Sequence, residues 1–324
     1  MTEYWKNGIL GVVVGDALGE PVQFESRAEV AKHPVKDMRG YGTFDLPEGS
    51  WTDDSSLTLA LLSSINDVDG INLNHIMRNF VDWLVHGDFT PYGYSYDIGR
   101  GTINAINAYR NSGNPLTCGG RAEDNNGNGS LMRILPVCLY CCENKFDDED
   151  AIKFVHVVSS LTHAHYRACI ACGLYYFMVK AVLEEKGSLI ERMQKGLNRG
   201  FDFYKYVSGE LAHFDRLRNL YEFADTPVDE IRSSGYVVDT IEASVWSLIT
   251  TYSYKSALLT AVNLGLDTDT IGAISGGIGG LYYGIGGEYG IPKEWINKVK
   301  RIDWICHMCE FADKRANSYS DVKP

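Results

Sequence analysis

"LGLDTDTIGAISGGIGG", residues 264–280, joins two aspartates to a glycine-lined helical pattern. Asp267 and Asp269 stand two apart with Thr268 and Thr270 between and after them, and Gly272, Gly276 and Gly280 then recur every four residues. A glycine inside a helix costs about 1 kcal/mol relative to alanine. A repeated glycine face therefore needs a reason, and close approach of a second backbone is one. The first apolar segment carries the same spacing in Gly11, Gly15 and Gly19. We expect these two helices to lie against each other at the centre of the molecule, which would bring motifs near both chain ends to one place. Residues 270–287 carry no charge and so mimic a membrane span, but their eight glycines leave too little apolar side chain, and the stretch reads as a buried helix.

Elsewhere the apolar residues repeat at helical spacing, over residues 55–65, 71–85, 151–161, 170–185 and 239–252. Strand-and-turn hairpin patterns are absent, so the fold class is all-α. No composition shift divides the chain. It reads as one helical domain over residues 1–315, with "ANSYSDVKP" (316–324) as a frayed tail. The long connections, 20–50, 86–101 and 111–130, are rich in Gly, Pro, Asn and Tyr, and long loops in a helical domain tend to carry function.

A formal charge of −12 argues against nucleic acid or an anionic membrane as a general partner. "MTEYWKNGIL" lacks the basic-then-apolar layout of a secretion signal, and eight cysteines without such a signal point to a reducing, cytoplasmic setting. Three cysteine pairs have CxxC spacing, Cys138/Cys141, Cys169/Cys172 and Cys306/Cys309, each inside an apolar helix-like run. Residues three apart share a helix face, so we read these as core side chains in preference to a zinc site.

Two carboxylates as close as Asp267 and Asp269 repel unless a proton or a cation lies between them. Helix capping would explain one aspartate. "WTDDS" (51–55) supplies a matching group, Thr52, Asp53 and Asp54, again where a helix begins. Four carboxylates and hydroxyls of this kind are hard oxygen ligands suited to Mg²⁺ or Mn²⁺, with two ions bridged by a carboxylate as the natural arrangement. "NNGNGSLMR" (125–133) is either an ordinary loop capped by Ser130 or an anion cradle in which glycines open backbone N–H groups and Arg133 adds charge. Tyr236 precedes a capping signal, Asp239 with Glu242, and either stacks on a flat ring or simply packs. His163 and His165 point to different faces, which argues against a paired metal site. Asp97, beside Gly99 and Gly101, is placed to present a carboxylate.

Together "GVVVGDALGEPVQF", "WTDDSS", "YDIGRGT", "NGNGSLMRILP", "SSLTHAH", "SSGYVVDTIEA" and "NLGLDTDTIGAISGGIGGLYYG" resemble the ADP-ribosylglycohydrolase family, in order, from about residue 8 to about residue 295. The resemblance implies an all-α single domain, an orthogonal helical bundle, with two Mg²⁺ or Mn²⁺ ions per chain held by Thr52, Asp53, Asp54, Asp267, Asp269 and Thr270. It implies that Asn128, Gly129, Ser130, Met132, Arg133 and His163 line an ADP-ribose site, and that Gly235, Tyr236 and Val237 hold the adenosine end. Asp97 matches a carboxylate placed by the substrate. The expected activity is hydrolysis of the N-glycosidic bond between ADP-ribose and a protein side chain, arginine first, with Asp97 or else Asp269 as base. The expected partner is an ADP-ribosylated protein or ADP-ribose itself. One departure stands out: the family pattern continues P-V-E-F where this chain has "PVQF", placing Gln23 at a glutamate position near the metals. A glutamine ligates through its carbonyl but cannot accept a proton, so a silent ADP-ribose binder is the rival expectation.

Overall fold

The computed structural model describes residues 3–320. Its centre is a pair of antiparallel helices, Tyr4–Gly19 and Thr268–Tyr283. A Cβ at Gly11 would fall 2.1 Å from the carbonyl oxygen of Gly276, at Gly15 2.1 Å from that of Gly272, and at Gly19 2.4 Å from that of Thr268. Nothing but glycine permits that spacing, and the expected backbone contact is present. Both helices are buried on all sides over most of their length, so neither shows the polar face of a surface helix. Tyr254, fully buried, donates its hydroxyl to the Gly11 carbonyl at 2.7 Å, and Thr268 Oγ1 donates to the Gly19 carbonyl at 2.8 Å.

Helices Asp53–Val68, Tyr166–Glu184, Val237–Ile249, Tyr254–Val262 and Ile302–Ser320 pack around this pair. Helix Tyr166–Glu184 is long and apolar enough to cross a membrane, yet 83% of its apolar window is packed inside the molecule, the burial expected of a core helix. Among the described residues no β-sheet forms; three isolated bridges, including Gly120–His163 and Gly127–Tyr236, tie loops together. The CxxC pairs lie on helices Leu135–Glu143, Tyr166–Glu184 and Ile302–Ser320. All eight thiols are free, and six are buried. Burial pushes the Cys172 thiol up to about 12, which keeps it protonated and inert.

The first helix has no side-chain cap of its own. Asp313, from the last helix, takes its first N–H groups instead, at 3.1 Å from Trp5 N and 3.2 Å from Lys6 N. That last helix runs Ile302–Ser320, through residues 316–320 of the stretch read as tail; residues 321–324 lie outside those described. Two capping expectations are corrected. Helix Val237–Ile249 begins two residues before Asp239, whose carboxylate accepts from Ser234 Oγ while Glu242 pairs with Arg216. Ser130 makes no capping bond and accepts from Ser159 Oγ at 2.8 Å.

Candidate active site

The C-terminal end of helix Tyr4–Gly19 meets the N-terminal ends of helices Asp53–Val68 and Thr268–Tyr283. Asp16, inside the first helix, accepts from Thr52 N at 3.0 Å, Ser55 N at 2.9 Å and Ser55 Oγ at 2.5 Å, with Thr52 Oγ1 at 3.1 Å. It therefore caps the Asp53 helix from outside and fixes the turn that carries both Asp53 and Asp54. Thr52 Oγ1 also lies 3.3 Å from an oxygen of Asp54 and 3.3 Å from one of Asp269. Thr270 Oγ1 donates to Asp54 at 3.3 Å. The two threonine–aspartate groups, more than two hundred residues apart, are one cluster.

Loops close it. Asp97 sits in the left-handed backbone region, φ 52°, and its Oδ2 accepts from Gln23 Nε2 at 2.8 Å. The Gly99 backbone N–H donates to the Asp53 carboxylate, and Asn128 Nδ2 donates to Asp267. Among the described residues no arginine or lysine forms a salt bridge with these acids. Burial, reinforced by the neighbouring carboxylates, pushes Glu20 up to about 8 and holds Asp53, Asp54 and Asp269 well above the carboxylate range. Burial likewise raises Asp16 to about 7 and Asp267 to about 6, against the hydrogen bonds they accept. Asp54 Oδ1, Asp269 Oδ1, Glu20 Oε1 and Gln23 Oε1 are buried without a hydrogen-bond partner. Orphaned carboxylate and amide oxygens beside threonine hydroxyls are a donor set that fits hard divalent cations.

This electrostatics predicts a pH effect on stability. The folded-state values of Asp16, Glu20 and Asp267 exceed their ordinary ones, so the folded chain holds protons that the unfolded chain has released. Stability of the chelated protein should then rise as pH falls from 8.5 to 6.5, by about 1.4 kcal/mol per pH unit for a group titrating in that window. His156 and His163, lowered by burial to about 4 and about 3, act in the opposite sense but only below about pH 6.5. Melting curves with EDTA at the two pH values check the sign. If the cluster takes a divalent cation, saturating Mg²⁺ should flatten the dependence, because the cation would displace the protons.

The cluster forms the floor of a cavity of about 860 Å³. Gln23, Asp53, Asp54, Asp97, Asn128, Gly129, Met132, His163, Gly235, Asp267 and Thr270 line it; Thr52 and Asp269 are buried within the cluster itself. Pairing of the 126–128 segment with 235–237, through Asn128 N to Gly235 O at 3.1 Å and Val237 N to Asn126 O at 3.0 Å, builds one wall. His163 is wedged between two glycines: a Cβ at Gly129 would lie 2.7 Å from its ring, and one at Gly101 2.8 Å. Its Nδ1 pairs with Thr162 Oγ1 at 2.8 Å, and that hydroxyl accepts from Arg133 Nη2 at 2.7 Å. Arg133 is thus fully buried beneath the histidine and does not line the cavity. Ser130 and Val237 are also buried off the cavity wall. Tyr236 is half-buried, with its hydroxyl accepting from Arg167 Nη1 at 3.1 Å.

A further group, Glu123, His165 and Glu210, brings potential metal-ligand atoms within 4.8 Å of one another. Arg167 already occupies it, at 2.7 Å from Glu123 and 2.9 Å from Glu210. A guanidinium there supplies the charge that an ion would otherwise bring.

The family model for ADP-ribosylglycohydrolase matches residues 5–321. The chain belongs to the ADP-ribosylglycohydrolase family. Among its relatives is the ADP-ribosylarginine hydrolase Tri1 of Serratia proteamaculans, 30% identical over 308 residues, which cover 94% of this chain and 77% of that protein. The ADP-ribosyl-(dinitrogen reductase) glycohydrolase of Rhodospirillum rubrum is 30% identical over 292 residues, 90% of this chain and 88% of that one. A solved structure of an ADP-ribosylglycohydrolase-related protein complex superposes with a TM-score of 0.73 at 27% identity, covering 96% of both chains. The protein is therefore a hydrolase of the ADP-ribosylglycohydrolase type. Sequence reasoning missed Asp16 and Glu20, although an acid inside the apolar run "GVVVGDALG" was a usable signal. It also missed Phe24, Arg100 and Asn125 on the cavity wall, for which spacing gives no sign.

Proposed function

We propose that this ADP-ribosylglycohydrolase cleaves the N-glycosidic bond between ADP-ribose and an arginine side chain of a protein, reversing mono-ADP-ribosylation. The carrying observation is that orphaned oxygens of two facing aspartate groups lie together at the floor of a cavity sized for a nucleotide sugar. Arginine is favoured because relatives at 30% identity are ADP-ribosylarginine hydrolases. In this reading Thr52, Asp53, Asp54, Asp267, Asp269 and Thr270 hold two Mg²⁺ or Mn²⁺ ions. Those cations supply positive charge for a ribose diol and for the charge that develops as the bond breaks.

Asp97 takes the proton of the attacking water, with Asp269 as the second candidate. Gln23 serves Asp97 as a donor: its amide holds the carboxylate in position, where a glutamate would add one more negative neighbour to the cluster. His163, kept neutral by burial and by Arg133 behind it, offers a ring nitrogen to the ligand without adding charge. The glycines at 127, 129 and 235 let backbone approach the pyrophosphate, and Tyr236, next to Gly235 but outside the cavity lining, is assigned to the adenosine end.

Incubation with ADP-ribosylated arginine and serine peptides, with Mg²⁺ or with EDTA, tests the reading. Release of ADP-ribose from the arginine peptide, lost on chelation, is the expected result. Gln23 motivates one alternative, a binder without turnover. ADP-ribose affinity by calorimetry with no release from either peptide would establish that alternative instead.

A further inference from the structure

Phe24 follows Gln23 on the cavity wall, and the residue is 61% exposed. Its backbone is left-handed, φ 68°, a conformation that bulky L-residues rarely adopt and that glycine adopts freely. The strain is held in place from several sides. Phe24 N donates to Leu266 O at 2.6 Å, and Leu266, itself left-handed at φ 63°, returns a bond from its N to Glu25 O at 2.6 Å. Thr43 Oγ1 donates to the Gln23 carbonyl at 2.5 Å. This brace aims Gln23 and Asp267, the neighbours of the two strained residues, into the site.

The brace requires the backbone shape and not a phenyl ring. A ring mostly in water adds little to folding, and at this φ it adds strain that glycine would avoid. Its contribution therefore lies with something that enters the cavity. The cavity it borders is also lined by Asp97, held by the adjacent Gln23, and by Asp267, which follows Leu266. Phe44 meets the ring at 6.3 Å with an interplanar angle of 69°, an edge contact that steadies its orientation. An aromatic face beside carboxylates suits a flat cation, and a guanidinium stacks on such faces.

We propose that Phe24 is a specificity-determining residue whose ring stacks on the guanidinium of the ADP-ribosylated arginine. The inference rests on the arginine reading above. It adds that the acceptor side chain leaves the cavity past Phe24.

Three variants test it: Phe24→Ala, Phe24→Gly and Phe24→Trp, assayed on an ADP-ribosylated arginine peptide with Mg²⁺ and, by calorimetry, on free ADP-ribose. Phe24→Ala should lower kcat/KM for the peptide by between about threefold and thirtyfold, mostly through KM, the range of a cation–π contact. ADP-ribose affinity should change by less than about twofold, since free ADP-ribose lacks the guanidinium. Phe24→Trp should restore the peptide reaction. Phe24→Gly should lose as much peptide activity as the alanine variant while melting no lower than wild type. Unchanged peptide kinetics in Phe24→Ala, on a wild type that does turn over the arginine peptide, overturns this inference alone. So does an equal loss of ADP-ribose affinity, which would put the ring against ADP-ribose, or a glycine variant that melts well below wild type. A wild type that releases ADP-ribose only from the serine peptide overturns the arginine reading and this inference together.

Discussion

Asp269→Asn should reduce turnover of an ADP-ribosylated arginine peptide by at least about 10²–10³-fold and remove the thermal stabilisation by Mg²⁺ expected of the wild type. Asp269 is fully buried and stands against Thr52 Oγ1 at 3.3 Å, with its Oδ1 unpartnered. Asparagine keeps the shape but removes one negative charge and puts an amide where a ligand oxygen is expected. Binding of an ion at 100 times its Kd stabilises the folded state by about 2.7 kcal/mol, so its loss is readily seen in a melting curve. The metal-free variant should melt higher than the metal-free wild type, because one member of a mutually repelling set has gone. This second readout separates loss of a ligand from simple misfolding. A variant with wild-type Mg²⁺ response and wild-type turnover would take Asp269 out of the site.

Gly15→Val should leave little folded protein at 37 °C. The Cβ alone would stand 2.1 Å from the Gly272 carbonyl oxygen and 2.5 Å from its carbon, both backbone atoms that no rotamer change can move. Valine adds two methyl groups to that clash. The helices must part along their whole shared face, which opens gaps in the core and pulls Gly19 away from Thr268. Overpacking in a yielding core costs about 1–3 kcal/mol, and a rigid backbone neighbour puts this site above that range. Gly15→Ala sets two effects against each other, since alanine gains about 1 kcal/mol in helix propensity. The steric cost should prevail and lower the melting temperature. Denaturant unfolding of the alanine variant measures the net sign, and a stabilised Gly15→Ala would contradict the observed packing.

Much of the fold was legible because it is written in local, periodic signals. The two four-residue glycine repeats predicted the central helix pair, and the structure places Gly11, Gly15 and Gly19 against Gly276, Gly272 and Thr268. Helix boundaries followed less well. Tertiary partners contribute to two helix starts: Asp313 to the first helix, which has no side-chain cap of its own, and Asp16 to the Asp53 helix beside the local cap from Thr52. A capping box read at Asp239 and Glu242 dissolved because Ser234 and Arg216 compete for those carboxylates.

The chain by itself determined which chemistry could gather. Hard oxygen donors recur at 52–54 and 267–270, glycines mark where backbones approach, and the order of motifs identifies the family. Only the tertiary structure decided how those groups are used. By spacing Arg133 is open between an ordinary loop residue and a phosphate contact, and the resemblance places it in the ligand site; it lies fully buried, bonded to the Thr162 hydroxyl that pairs with His163. Asp16 sits among valines in the sequence and becomes the support of the aspartate cluster. Phe24 looks like one more apolar residue until its φ and exposure are known. The physical reason is common to all three. Residue type and period report a side chain's own preferences, whereas burial, backbone strain and unsatisfied oxygens arise only when distant segments compete for the same space.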